Sequence, residues 1–126
     1  MSKTQSHIYI VDDDDKYNQS LRRLLISAGY FAESFSSAQS FLDSVPVDDE
    51  TGVLILDLRM PGMDGFALQD KMNELRSPLR IIFITAGAQP GDRDHAIKNG
   101  AIGFLQKSFH DESLFELIHL AMEKCD

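Results

Sequence analysis

Four short apolar runs lie along the chain, and each is continuous rather than alternating with polar positions. Continuous runs are typical of parallel strands whose two faces are both covered by helices. A fifth segment, residues 30–35, mixes apolar and polar positions, which indicates a strand at an edge of the sheet. The four continuous runs are residues 8–11, 53–56, 81–84 and 102–105.

Between these runs, apolar residues recur at helical spacing, and glycine or proline stands where several of the patterns stop. Five strand–helix units therefore follow one another, and parallel strands need right-handed crossovers. The sequence predicts an α/β fold, a doubly wound five-stranded parallel sheet with five helices. The predicted helices are residues 17–28, 37–44, 65–75, 92–99 and 114–122.

Length and composition indicate one globular domain, since the chain has 126 residues, of which 43% are hydrophobic and 25% charged. The formal net charge of −8 disfavours direct binding to nucleic acid or to an anionic membrane surface. The single cysteine, Cys125, excludes an internal disulfide. Residues 1–7 are polar and no apolar run approaches about 20 residues, so we expect a cytoplasmic protein with neither signal peptide nor membrane span.

Charged and hydroxyl side chains follow the predicted strands. Four aspartates at 12–15 follow the first run and Asp57 follows the second, while Thr85 and Lys107 come after the two later runs. In an open parallel sheet, ligands bind beyond the carboxyl ends of the strands. We therefore expect these side chains to meet at one rim of the sheet.

The carboxylates at this rim favour a bound cation. Two unit charges about 4 Å apart interact by roughly 4 kcal/mol at an effective dielectric near 20, so Asp12, Asp13 and Asp57 would repel one another strongly. One lysine does not neutralise three carboxylates, whereas a hard divalent cation does, and oxygen ligands suit Mg²⁺. One carboxylate could then attack an electrophilic phosphorus, with Lys107 and Thr85 holding the phosphoryl oxygens.

In this order and spacing, these residues resemble the receiver domain of bacterial two-component response regulators. The resemblance covers the chain from Ile8 to the final helix and implies a flavodoxin-like sheet with strand order 2-1-3-4-5. The matching segments are Val11-Asp12-Asp13, the nine residues from Asp57 to Gly65 (DLRMPGMDG), Thr85-Ala86, Gly100-Ala101 and Lys107.

The resemblance implies a role for each residue of the site. Asp57 would be the phosphoacceptor, taking its phosphoryl group from a phosphohistidine of a sensor histidine kinase. Asp13 would ligate Mg²⁺ directly and Asp12 through water. Asp57 itself and the backbone carbonyl of Arg59 would complete the protein ligands. Lys107 would contact the phosphoryl group.

The resemblance also implies a switch made of Thr85 and Phe104. Thr85 would move toward the phosphoryl group and Phe104 would turn inward, although plain core packing of Phe104 is an equal alternative. The surface of the fourth helix, fifth strand and fifth helix would then recruit a partner or a second copy of the chain as a phosphorylation-dependent homodimer. The sequence Arg59-Met60-Pro61 resembles receivers that control transcription, and we expect no output domain within residues 1–126.

One departure concerns the peptide after Lys107, where the family usually has a proline with a cis bond and this chain has Ser108. A cis bond before a non-proline residue costs roughly 2.5–4 kcal/mol. The bond is therefore either cis under strain or trans with a shifted loop, and a trans bond puts the reach of Lys107 in question. We expect Gly87 and a long, mobile Arg59 to set how fast the acyl phosphate hydrolyses.

Other functions fit the sequence less well. A phosphatase with an aspartate nucleophile needs a second carboxylate two residues later, where this chain has Arg59. A flavin or nucleotide site needs a glycine- or hydroxyl-rich loop, and aspartates 12–15 would repel a phosphate. A pseudo-receiver that only binds other proteins remains the alternative. Asp14, Asp15 and Asp64 are interpreted as residues that begin helices.

Overall fold

The structure, a computed structural model, describes residues 7–46 and 52–123; Cys125 lies outside the described residues. Strands and helices alternate along this part of the chain. The strands are β1 (His7–Val11), β2 (Phe31–Phe35), β3 (Val53–Asp57), β4 (Arg80–Thr85) and β5 (Gly103–Gln106). The helices are α1 (Asp15–Ser27), α2 (Ala38–Ser44), α3 (Gly65–Glu74), α4 (Asp92–Lys98) and α5 (Asp111–Glu123).

The strands form one parallel sheet in the order β2-β1-β3-β4-β5. The predicted doubly wound fold and its strand order are confirmed. Because β1 lies beside β3 and β4 lies beside both β3 and β5, the carboxyl ends of these four strands are adjacent at one rim of the sheet.

Helices cover both faces of the sheet, which explains the continuous apolar runs. Ile8 and Ile10 of β1 pack in one core cluster with residues of α1 and α5, and Tyr9 and Val11 pack in a second cluster with residues of α2, α3 and α4. All five residues of β3, the central strand, are buried. Alternate side chains of one strand therefore enter different cores, so no position of the strand can be polar without cost.

The edge position predicted for residues 30–35 is also confirmed. β2 pairs only with β1 among the described strands, and its Phe31 is 50% exposed while Ala32 is buried. An edge strand has one neighbour and incomplete cover, so its outward positions tolerate polar residues.

Short polar side chains begin the helices as expected. Asp14 is the N-cap of α1 and accepts a hydrogen bond from the Tyr17 backbone N–H, and Asp64 caps α3 in the same way through Ala67. Asp15 is the first residue of α1. The helix boundaries differ slightly from the prediction, since α5 already begins at Asp111. Within the described ranges, no helix combines the length and apolar character that crossing a membrane requires.

Candidate functional site

The carboxylates that follow β1 and end β3 lie together. Asp57 is the last residue of β3, and Asp12 and Asp13 directly follow β1, its neighbour in the sheet. One carboxylate oxygen from each of the three residues lies within 4.8 Å of the others. Asp12 is fully buried, Asp57 is 5% exposed and Asp13 is exposed. The structure thus brings together all three side chains predicted to form the acidic site, with Asp13 on its open side.

Burial and repulsion make the Asp57 carboxylate less acidic than an ordinary aspartate. The pKa of this carboxyl is raised from 3.8 to about 6: desolvation is the largest cause and the negative charges of Asp12 and Asp13 act in the same direction, while Lys107 and a hydrogen bond with the Leu58 backbone partly oppose them. At neutral pH the group is still mainly ionised, so the cluster carries charge that a cation would offset.

Lys107 supplies a positive charge to this cluster. Its Nζ lies 2.8 Å from Asp12 Oδ2, and its side chain is only 19% exposed. The same nitrogen lies 4.3 Å from the centre of the Tyr17 ring. At the backbone, the N–H of Lys107 donates to the carbonyl of Thr85 at 2.7 Å, which joins the ends of β4 and β5.

The peptide bond between Lys107 and Ser108 is trans, since no peptide bond of the described residues is cis. Of the two peptide conformations left open by the sequence, the trans bond is the one observed. Ser108 adopts a φ of 81°, in the left-handed region that non-glycine residues seldom occupy. Such a conformation costs about 1–3 kcal/mol. With the trans bond, Lys107 still reaches Asp12, which answers the question about its reach.

Thr85 and Phe104 lie on neighbouring strands beside the cluster. Thr85 ends β4, is fully buried, and its Oγ1 accepts a hydrogen bond from the Gly87 N–H at 3.3 Å. Phe104 of β5 is partly buried, and its ring centre lies 6.3 Å from that of Phe83 in the core. Phe104 thus makes the core contact expected of a packing residue, and its movement as a switch stays a prediction.

Arg59 forms an ion pair that the sequence did not indicate. Its Nη2 donates to Asp92 Oδ2 at 2.6 Å, which ties the residue two positions after Asp57 to the start of α4. The sequence did not indicate this ion pair, because Asp92 lies far from Arg59 along the chain and nothing in the local pattern pairs the two residues.

Gly65 allows α3 to begin close under Asp57. Its N–H donates to the Leu58 carbonyl at 2.9 Å. A Cβ at this position would lie 2.6 Å from the Asp57 carbonyl oxygen and 2.9 Å from the Leu58 Cα. The glycine of the DLRMPGMDG segment is therefore required by close packing against the strand end that carries Asp57.

Two supporting residues were missed from the sequence. The buried Asn18 donates through Nδ2 to the Asp12 carbonyl at 2.7 Å and to the Phe35 carbonyl at 3.2 Å, which holds the segment carrying Asp12. The signal was its helical spacing with Leu21 and Leu25, which places this amide on the buried face of α1. Tyr17, the neighbour of Lys107, was interpreted only as an apolar helix position.

Comparison with known proteins shows which family the chain belongs to. The response regulator receiver domain family matches residues 8–119. The transcriptional regulatory protein FixJ of Bradyrhizobium diazoefficiens is 38% identical over 98% of this chain and 60% of its own length. The response regulator protein TmoT of Ectopseudomonas mendocina is 42% identical over 98% of this chain and 56% of its own length. The chain thus spans somewhat more than half of these curated relatives.

Solved structures show the same fold. The response regulator StyR superposes with a TM-score of 0.88 at 36% identity, covering 96% of this chain and 61% of that one. The crystal structure of FixJ-N superposes with a TM-score of 0.83 at 31% identity, and the match covers 96% of both chains. The chain belongs to the receiver domain family of response regulators, which are signalling domains rather than turnover enzymes.

Proposed function

We propose that this chain is a phosphorylation-operated switch in which Asp57 takes a phosphoryl group from the phosphohistidine of a sensor histidine kinase. The observation that carries the proposal is the convergence of three carboxylates within 4.8 Å, with the ammonium of Lys107 on one of them. Each carboxylate added to such a cluster increases the repulsion that the fold must offset, and a bound cation would offset it.

The residues present suit Mg²⁺. All three side chains offer oxygen, the donor that this ion prefers, and the exposed Asp13 leaves one side of the cluster open for the water ligands that the ion retains. Asp12, Asp13, Asp57 and the backbone carbonyl of Arg59 would hold it. When bound, the ion would supply positive charge against the carboxylates and the incoming phosphoryl oxygens.

The side chains at the rim would divide the chemistry among them. The Asp57 carboxylate, ionised at neutral pH, attacks phosphorus, so that an O–P bond forms while the P–N bond of the phosphohistidine breaks. The Lys107 ammonium moves from Asp12 onto a phosphoryl oxygen. The Thr85 hydroxyl donates to a second phosphoryl oxygen, so developing charge on the transferred group is met by donors that are already nearby.

The output would be a changed surface on α4, β5 and α5. The movement of Thr85 toward the phosphoryl group would free space for the partly buried Phe104. Ile97 of α4, which is 40% exposed, lies on the surface that would bind a partner or a second copy of the chain. Because relatives are named transcriptional regulators, we propose a role in transcription control within the cytoplasm, with DNA contact made outside this acidic segment.

Phosphorylation itself gives the direct test. The protein is incubated with Mg²⁺ and acetyl phosphate, and its intact mass is measured with and without hydroxylamine, which cleaves acyl phosphates. We expect one phosphate on the wild type and on Asp64→Asn, a control in which asparagine still caps α3. Asp57→Asn should gain none. A wild type that stays unmodified, or a variant that is modified equally, would favour the pseudo-receiver alternative.

A further inference from the structure

The position of the Lys107 ammonium needs an explanation beyond the backbone. The residue is followed by a trans peptide bond and by Ser108 in a left-handed conformation, so no proline ring stiffens the turn that leads away from it. A lysine side chain is a flexible four-carbon stem that carries a strongly hydrated ammonium, so this group ordinarily extends into water. Here it is only 19% exposed and points back to Asp12.

We propose that Tyr17 is a positioning residue that holds the Lys107 ammonium at the carboxylate cluster. Lys107 Nζ lies 4.3 Å from the centre of the Tyr17 ring and 2.8 Å from Asp12 Oδ2. The nitrogen is therefore held between one carboxylate and one aromatic face. Cations within about 6 Å of a ring face are attracted by its quadrupole, and the attraction grows when water is excluded.

The Tyr17 ring is itself well anchored. Tyr17 stands in the first turn of α1, and its backbone N–H donates to the Asp14 cap at 3.2 Å, so it is tied to the segment that carries the acidic residues. Tyr17 is partly buried against a core cluster that includes Leu21 and Leu25, and Phe109 packs against the same cluster. An anchored ring restricts a flexible lysine, whereas a mobile one would not.

The tyrosine hydroxyl stays neutral at this site. Burial raises the pKa of Tyr17 to about 12, and the negative charges of Asp12, Asp57 and Asp111 act in the same direction. The ring therefore offers Lys107 its face and no competing negative charge. Because the ring is neutral, the ammonium is free to transfer from Asp12 to an incoming phosphoryl oxygen. A second carboxylate in place of the ring would oppose this transfer.

Two variants separate the ring face from its bulk. Tyr17→Phe keeps the aromatic face, whereas Tyr17→Leu removes the aromatic face and keeps an apolar side chain. Tyr17→Met is a second non-aromatic variant, to be used if Tyr17→Leu does not fold. Tyr30→Leu is the matched control, because Tyr30 is also partly buried against the same core cluster. Urea unfolding of each variant identifies the conditions under which it is folded.

The first readout needs no phosphorylation. The NMR shifts of the Lys107 ε-methylene protons are recorded in metal-free protein, where a ring above them moves the signals upfield. We expect the upfield shift in wild type, Tyr17→Phe and Tyr30→Leu, and its loss in Tyr17→Leu and Tyr17→Met. A Lys107 signal that is unchanged in folded Tyr17→Leu would overturn the proposal.

The second readout concerns the reaction and rests on the proposed function. With Mg²⁺ and acetyl phosphate, we expect the rate constant for phosphorylation to fall roughly 3- to 30-fold in Tyr17→Leu and to stay within about twofold of wild type in Tyr17→Phe. An equal loss in both variants would assign the effect to the hydroxyl and contradict the proposal. If wild type takes up no phosphate, the proposed function fails, while the NMR result still decides whether Tyr17 positions Lys107.

Discussion

Arg59 Nη2 and Asp92 Oδ2 lie 2.6 Å apart, so the segment that follows Asp57 is joined to the first residue of α4. Asp92 also accepts a hydrogen bond from the Gln89 backbone N–H at 2.8 Å, which fixes the loop before the helix. The Arg59 carbonyl is one of the ligands proposed for Mg²⁺. In the proposed switch, this pair connects the segment after the phosphoacceptor to α4.

This relationship predicts a measurable coupling between the two side chains. In a double-mutant cycle of Arg59→Ala and Asp92→Asn, we expect a coupling of about 1 kcal/mol in the free energy of unfolding, because Asp92 is nearly buried while Arg59 is 43% exposed. Urea unfolding of the four proteins gives the value. Asp94→Asn, in the same turn but exposed, is the control and should show no coupling with Arg59→Ala. If the effects of Arg59→Ala and Asp92→Asn on the free energy of unfolding are additive, the ion pair contributes nothing to stability.

The buried carboxylate of Asp57 predicts a dependence of stability on pH. Its folded pKa of about 6 is raised above the ordinary 3.8, so the folded state binds the proton more tightly than the unfolded state does. The contribution of Asp57 to the free energy of unfolding is therefore fully present below about pH 4 and is lost as the pH rises through about 6. Asp57→Asn should therefore exceed wild type in stability at pH 7.5 by up to about 3 kcal/mol, because a shift of about two pKa units corresponds to that energy.

Urea unfolding in EDTA between pH 4 and 7.5 measures this difference. Asp57→Ala removes the same titrating group, so its stability relative to wild type should change with pH along the same slope as that of Asp57→Asn, whatever its absolute value. A difference between Asp57→Asn and wild type that stays constant over this range would contradict the raised pKa.

The fold and the acidic cluster were predictable because both follow from features that are local in sequence. Continuous apolar runs mark strands, the residue after each run marks the rim, and parallel crossovers bring the rim together. Asp12, Asp57 and Lys107 are therefore found where the sequence places them, at the ends of β1, β3 and β5.

The contacts that hold these residues in place were not predictable in the same way. The partner of Arg59 depends on where α4 begins in space, and the contact of Tyr17 with Lys107 depends on how α1 packs beside the turn after β5. The peptide at Ser108 depends on a balance of a few kcal/mol between two conformations. Such long-range or finely balanced features leave no periodic signal in the sequence.

Magnesium should stabilise the folded protein through Asp13. An ion that binds only the folded state adds about 2.7 kcal/mol at a concentration 100 times its dissociation constant. We expect the unfolding temperature of wild type to rise with MgCl₂ and that of Asp13→Asn to rise far less. Asp14→Asn is the matched control, since asparagine caps a helix as well as aspartate does and Asp14 lies outside the cluster. Equal responses of the two variants would remove Asp13 from the ligand set.

Gly65→Ala should destabilise the protein even though alanine favours helices by about 1 kcal/mol over glycine. The added methyl would lie 2.6 Å from the Asp57 carbonyl oxygen and 2.9 Å from the Leu58 Cα, and backbone atoms at a strand end cannot move aside as a flexible side chain could. We expect the free energy of unfolding, measured in urea, to fall by about 1–3 kcal/mol, and phosphorylation by acetyl phosphate to be slower, because relief of the contact displaces Asp57.

Gly87→Ala is the control: its added methyl meets no atom within 4 Å, so its stability should stay within about 0.5 kcal/mol of wild type. A Gly65→Ala protein as stable as wild type would show that α3 can shift away from β3 at little cost, and that this close approach does not place Asp57.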